Sequence, residues 1–290
     1  METADLTTKD VARLLHVSEA TVKRWADDGV LRPEKTVGGH RRFSIQAIAR
    51  LRRERGMEAD RNAPASKTAN EERGVQTVLS PSIFSESLLR GDESKVSAGL
   101  INAYLHNHTL ASLFDTTITK AMHEIGEMWV KGKITIADEH LATRVLLSAL
   151  QKLRAVVVPA EPTGLKAICC AIEGDLHELP VHLAEIIIEA AGWEAVNLGA
   201  NTPLFALREM VAQKRPGLVC VSARTVADLD RAAIEYAQLR KVTQKMGAVI
   251  VLGGEGFRDT TLRARFPSDF YVENFAGLSK FIRLQMSKRV

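Results

Sequence analysis

The residues most suited to chemistry in this chain are two histidines, each set beside a carboxylate. Nine residues separate Trp129 from the adjacent pair Glu139 and His140, and His177 follows in the segment Gly174-Asp175-Leu176-His177. A neutral imidazole is a ready metal ligand. Asp175 can hold the second ring nitrogen of His177 and so fix which nitrogen is free to ligate. Two such histidines could bracket one metal-centred cofactor. Taken singly, Trp129 also fits a core aromatic, and Glu139 fits a carboxylate favoured by a helix N-terminus. His123 and His182 match no such arrangement and are expected to be structural or surface residues.

The segment carrying His177 alternates strand-like and helical stretches. Residues 166–172, 194–199, 217–222, 248–253 and 269–274 are strand-like, with amphipathic helical stretches between them. This order predicts an open parallel sheet wound on both sides, whose ligands sit beyond the carboxyl ends of the strands. Asp175 and His177, Ser222, and the pair Gly253-Gly254 all fall there, and paired glycines would let a bulky ligand approach the backbone. Cys169, Cys170 and Cys220 lie within the strands without zinc-site spacing, and they read as small core residues.

Upstream, residues 75–157 repeat apolar side chains at three- and four-residue steps, from Ile83 through Trp129 to Leu141 and Leu150. This predicts four helices with short joints, a bundle. Gly132 breaks the chain between the third and fourth helices, and Glu139 and His140 open the fourth.

The N-terminal segment holds the formal charge surplus. Residues 1–56 carry 12 Lys or Arg against 8 Asp or Glu, while the remainder carries 27 of each. Localised positive charge suits phosphate contacts. Thr7 with Asp10 makes a capping box for a first helix with Val11, Ala12, Leu14 and Leu15 on its apolar face, ending near His16. Ser18 caps a second, with Val22 and Trp25 inward and Lys23 and Arg24 outward. A turn-linked ribbon follows, with Gly38 and Gly39 at its tip and His40, Arg41 and Arg42 after it. These residues resemble the winged helix-turn-helix of MerR-type regulators, and the resemblance implies that Lys23, Arg24, His40, Arg41 and Arg42 face a double-stranded DNA operator. The long dimerisation helix usual in that family is replaced after residue 56 by a small, polar, proline-containing stretch, which reads as a linker.

The sheet segment resembles the cobalamin-binding fold, whose fingerprint joins an Asp-x-His loop, a serine and a glycine pair. Here 41 residues separate Pro180 from Ser222, and 28 separate Arg224 from Gly253, at the family's spacing. Pro180 replaces the fingerprint's glycine and Arg224 its leucine. The head, the Trp129 to His140 spacing and the sheet together resemble the CarH-type cobalamin-dependent photoreceptor regulators (CarA, CarH, LitR) over essentially the whole chain. That resemblance implies adenosylcobalamin as cofactor, with His177 as lower cobalt ligand. Trp129 and Glu139 would hold the adenosyl group, His140 would take the upper cobalt position after light, and Ser222, Gly253 and Gly254 would line the slot for the nucleotide tail. It further implies a repressor that is a dark tetramer or dimer and releases DNA when lit.

The expected organisation is multidomain, α and α/β. A MerR-type winged helix-turn-helix spans 1–56, a linker 57–74, a four-helix bundle 75–160, and a Rossmann-like cobalamin-binding domain with a doubly wound parallel sheet 161–290. Other readings stay open. They are a light-independent MerR-type regulator sensing corrinoid, redox state or a protein partner, a haem sensor using the same histidines, and a corrinoid-dependent methyltransferase module. A regulator, not an enzyme, is expected. The sequence METADLTTKD lacks the features of an export signal, and no apolar run suits a membrane span, so a cytoplasmic protein without membrane contact is expected.

Overall fold

A computed structural model of the chain describes residues 6–15, 17–35, 38–54, 80–106 and 108–287. The expected linker at 57–74, the expected bundle start at 75, His16 and the side chain of Leu14 lie outside the described residues. The chain divides into two compact units, Met1–Val158 and Pro159–Val290.

The first unit opens with β1 (Leu6–Thr7), α1 (Thr8–Leu14), α2 (Glu19–Asp27), β2 (Glu34–Lys35), β3 (Arg41–Phe43) and α3 (Ile45–Glu54). Both expected caps form. Asp10 N–H donates to Thr7 Oγ1 at 3.2 Å while Thr7 N–H donates back to Asp10 Oδ2 at 3.0 Å, and Thr21 N–H donates to Ser18 Oγ at 3.1 Å. Val22 and Trp25 turn inward onto Val11, Leu15, Leu31 and Phe43. The ribbon is the β2-β3 hairpin, with Gly39 at φ 76°. A third strand, β1, pairs antiparallel with β3 through Leu6 and Phe43. At two residues it is too short to show a period.

The bundle follows as α4 (Pro81–Leu89), α5 (Glu93–Leu105), α6 (Leu110–Leu113), α7 (Thr119–Val130) and α8 (Ile136–Val156). The single third helix expected from the repeat is instead α6 and α7 joined by a π-helical turn, Phe114–Ile118. That turn widens the helix by a residue and keeps Phe114 and Ile118 in the core. Thr135 and Asp138 form a reciprocal capping box that starts α8 immediately before Glu139. At its far end α8 meets the head, where Val156 is buried with Leu105 of α5 and Ala49 of α3.

The second unit is a five-stranded parallel sheet in the order β5-β4-β6-β7-β8, with β4 (Lys166–Ala171), β5 (Glu194–Asn197), β6 (Leu218–Ser222), β7 (Val249–Gly253) and β8 (Phe270–Val272). Five helices cross over between strands or follow them: α9 (Leu179–Ala190), α10 (Leu204–Lys214), α11 (Leu229–Met246), α12 (Thr260–Arg265) and α13 (Phe275–Ser287). Leu204, Leu207 and Val211 of α10 and Tyr236 and Leu239 of α11 bury one side of the sheet core with Ile168, Val219 and Ile250. The register sets Ala171 beside Ser222, Ser222 beside Gly253 and Gly253 beside Val272, so the strand ends form one rim.

Candidate functional site

Asp175 organises the rim. Its carboxylate is buried at 1% exposure. Oδ1 accepts from His177 Nδ1 at 2.7 Å and from His177 N–H at 3.0 Å, and Oδ2 accepts from Arg224 N–H at 2.6 Å. Burial alone would raise the pKa of this carboxyl, but the bonds from His177 and from the Arg224 backbone outweigh it and hold the group below its ordinary value. The ionised carboxylate accepts from Nδ1–H of His177, so in the neutral imidazole the lone pair lies on Nε2. Asn201, which the sequence reading missed, braces the loop. Its N–H donates to Asp175 O at 2.8 Å, and its Oδ1 accepts from Gly174 N–H at 2.8 Å. It does so at φ 52°, a conformation asparagine tolerates better than most residues. No motif announces it.

A pocket opens on the same rim, and Ser222, Gly253, Gly254, Pro180, Val181 and Phe275 are among the residues lining it. The structure thus brings the predicted slot residues together. The glycines also answer to their own protein neighbours. A Cβ at Gly253 would lie 2.8 Å from Val272 Cγ2, and one at Gly254 would lie 2.4 Å from Ala223 O. Cys169, Cys170 and Cys220 are buried free thiols as expected, and they also form part of the pocket wall. Burial pushes the Cys170 thiol up to about 12, so it is unreactive at neutral pH.

Trp129, Glu139 and His140 belong to the first unit. Trp129 is 47% exposed, which sets aside its reading as a core aromatic. Val130, Ile136 and Leu141, on either side of the α7-α8 joint, are exposed too, so that end of the bundle presents apolar surface. Helical periodicity assigns a face but does not say whether that face is covered. Glu139 is partly buried and accepts from Thr143 Oγ1 at 3.0 Å, and His140 is exposed. His123 is exposed and pairs with Glu127, and His182 lies between Glu178 and Glu185.

In the head, Lys23, Arg24 and His40 are exposed, and Arg42 is half-buried. Arg41 is already engaged. Its Nη2 donates to Asp27 Oδ1 at 2.6 Å and its Nη1 to Lys23 O at 3.2 Å, tying the wing to α2.

Residues 6–56 match the family described as a helix-turn-helix domain, and residues 84–154, which contain Trp129, Glu139 and His140, match the B12 binding domain. The chain is 27% identical over 263 residues to the HTH-type transcriptional repressor CarA of Myxococcus xanthus, across 87% of each protein. It is 26% identical over 250 residues to the HTH-type transcriptional repressor CarH of the same organism, across 76% of this chain and 80% of that one. The structure of the Methanosarcina barkeri monomethylamine corrinoid protein, at 16% identity, shares the fold with a TM-score of 0.60 over 73% of this chain and 99% of that one. The class is therefore a B12-binding helix-turn-helix transcriptional regulator. Within that class the chain resembles the CarH type. Among the described residues no helix is long and apolar enough to cross a membrane.

Proposed function

We propose that this chain is a light-responsive repressor that binds its operator as an adenosylcobalamin-stabilised dimer or tetramer in the dark and releases it when lit. The observation that carries the reading is the Asp175-His177 pair, in which a buried carboxylate holds Nδ1 of the imidazole and leaves Nε2 as the ligating nitrogen of the neutral ring. One imidazole so oriented suits an axial ligand for a metal whose other ligands come from a macrocycle. The pocket shared by Ser222, Gly253 and Gly254 suits a tail inserted beside the strand ends. These residues fit the group.

His177 would hold cobalt from below, and Trp129 and Glu139 would hold the adenosyl side. His140 would become the upper ligand in the lit state. When bound, the cofactor supplies a cobalt-carbon bond that light breaks. The chain's contribution is to give its bundle two arrangements, one of which supports assembly. Paired heads bind DNA more tightly than single ones through effective concentration, so loss of assembly releases the operator. Lys23, Arg24, His40 and Arg42 would meet DNA, with Arg41 acting through the wing's position.

Addition of adenosylcobalamin in darkness should shift the absorption spectrum and lower the elution volume, and illumination should reverse the second effect. His177→Ala should abolish lower ligation. His140→Ala should leave dark binding intact and destabilise the photoproduct. Spectral binding with no light-dependent change of size would instead support a light-independent corrinoid sensor, and failure to bind any corrinoid would refute both.

A further inference from the structure

Nε2 of His177 carries a contact of its own. Nη1 of Arg224 lies 3.2 Å from it. A guanidinium only donates, so Nε2 must be the acceptor. With Nδ1 given to Asp175 at 2.7 Å, both ring nitrogens are assigned, and Arg224 occupies the lone pair that a metal would take.

We propose that Arg224 is an internal cap on His177, a competitor that a corrinoid cobalt must displace, and hence a residue that sets the affinity of lower ligation. The proposal rests on the cobalamin reading above. The Arg224 residue has a fixed part and a movable part. Its backbone N–H is held by Asp175 Oδ2 at 2.6 Å, whereas the residue as a whole is exposed to solvent. The guanidinium can therefore swing off Nε2 while the loop after β6 stays in place. A cation approaching Nε2 also meets the positive charge of the cap, so the two cannot share the nitrogen. A solvent-exposed charged hydrogen bond is weak beside a coordinate bond. The cap therefore lowers affinity without preventing ligation, by roughly tenfold, equivalent to about 1.4 kcal/mol.

The test uses the full chain, Arg224→Leu, Arg224→Gln, His177→Ala and the double variant Arg224→Leu/His177→Ala, each titrated with cob(II)alamin under anaerobic conditions and read by absorbance. Electron paramagnetic resonance of protein labelled with nitrogen-15 histidine reports whether the axial nitrogen comes from the protein. Arg224→Leu should bind about tenfold tighter with histidine ligation retained, Arg224→Gln should gain less because its amide still donates, and Arg224→Leu should have no effect in the His177→Ala background. Without corrinoid, the Nε2 resonance of His177 should move when Arg224 is replaced. Arg224→Gln serves if Arg224→Leu fails to fold.

Equal or weaker corrinoid binding by the Arg224 variants overturns the cap and leaves the cobalamin reading standing. An Arg224→Leu effect that persists without His177, or an unmoved Nε2 resonance, overturns it too. No binding by any of the proteins, or wild-type binding without an axial nitrogen from histidine, overturns both proposals.

Discussion

Asp27, the last residue of the second head helix, holds Arg41 of the wing at 2.6 Å, and the carbonyl of Lys23 accepts from the same guanidinium. Arg41 thereby fixes the angle between wing and helix rather than standing free for phosphate. Removing the negative charge of Asp27 would by itself strengthen binding to DNA, so a loss of affinity isolates the positioning effect. Asp27→Ala should weaken binding about tenfold with little change in the salt dependence. Lys23→Ala and Arg24→Ala should each reduce the slope of log affinity against log salt by about one. Fluorescence anisotropy with a duplex bound by the wild-type chain, repeated at several salt concentrations, separates the two behaviours. Tighter binding by Asp27→Ala would reject the positioning role.

Local chemistry made much of this molecule readable. The Thr7-Asp10 and Ser18 caps follow from side chains three residues apart, and the sheet follows from runs of apolar residues broken by amphipathic stretches. The rim holding Asp175, Ser222 and Gly253 follows from parallel topology, which places all strand ends on one side. Contacts between distant segments were not readable. Arg224 stands 47 residues from the His177 that it caps, and nothing local marks that pairing. Trp129 continued the apolar repeat of its helix, yet the fold leaves it exposed. The π turn at Phe114–Ile118 keeps the same inward side chains as an α-helix, so the pattern could not reveal it.

Gly254 is held at φ 97° with Ala223 O placed 2.4 Å from any added Cβ, and both the conformation and the contact exclude a side chain. Gly254→Ala should cost about 2–4 kcal/mol, combining positive-φ strain with displacement of the loop after β6. Urea denaturation of the apo chain, followed in the transition of its sheet unit, measures this without any cofactor. Wild-type stability in Gly254→Ala would mean that the glycine serves only a ligand.

The Asp269-Arg240 pair gives the sheet unit a defined pH dependence. Burial raises the pKa of Asp269, but hydrogen bonds from Arg240 and the Ile250 backbone outweigh it and place the carboxyl below its ordinary range. A lowered carboxyl stabilises the fold fully above the unfolded value of about 3.9, and that contribution is lost as pH falls through the lower folded value. Asp269→Asn should therefore lower stability by about 1–2 kcal/mol at pH 7, a figure reduced for solvent screening, with the difference shrinking below about pH 4. Unfolding midpoints at neutral and acidic pH test this. A gap between the two proteins that stays constant with pH would contradict it.

Ala49 and Val156 link the head to the helix that carries His140 at its other end. Helix α8 runs 21 residues from Ile136 to Val156, about 31 Å at the helical rise. Glu139 lies in its first turn and His140 directly after it, while Val156 is buried against Ala49 of α3. An unbroken helix transmits a tilt at one end to the other, so movement of the His140 end would reorient the surface on which α3 sits. Ala49→Glu puts a charge into this contact, and burying it unpaired is unfavourable. The variant should therefore release α3 from α8 while the head keeps its own core of Val11, Trp25 and Phe43. Adenosylcobalamin binding should be unchanged, and the ratio of dark to lit DNA affinity should fall at least threefold. The readout is operator binding before and after illumination, with circular dichroism confirming that the head remains folded. An undiminished ratio in Ala49→Glu would show that the signal reaches DNA through assembly alone, without this contact.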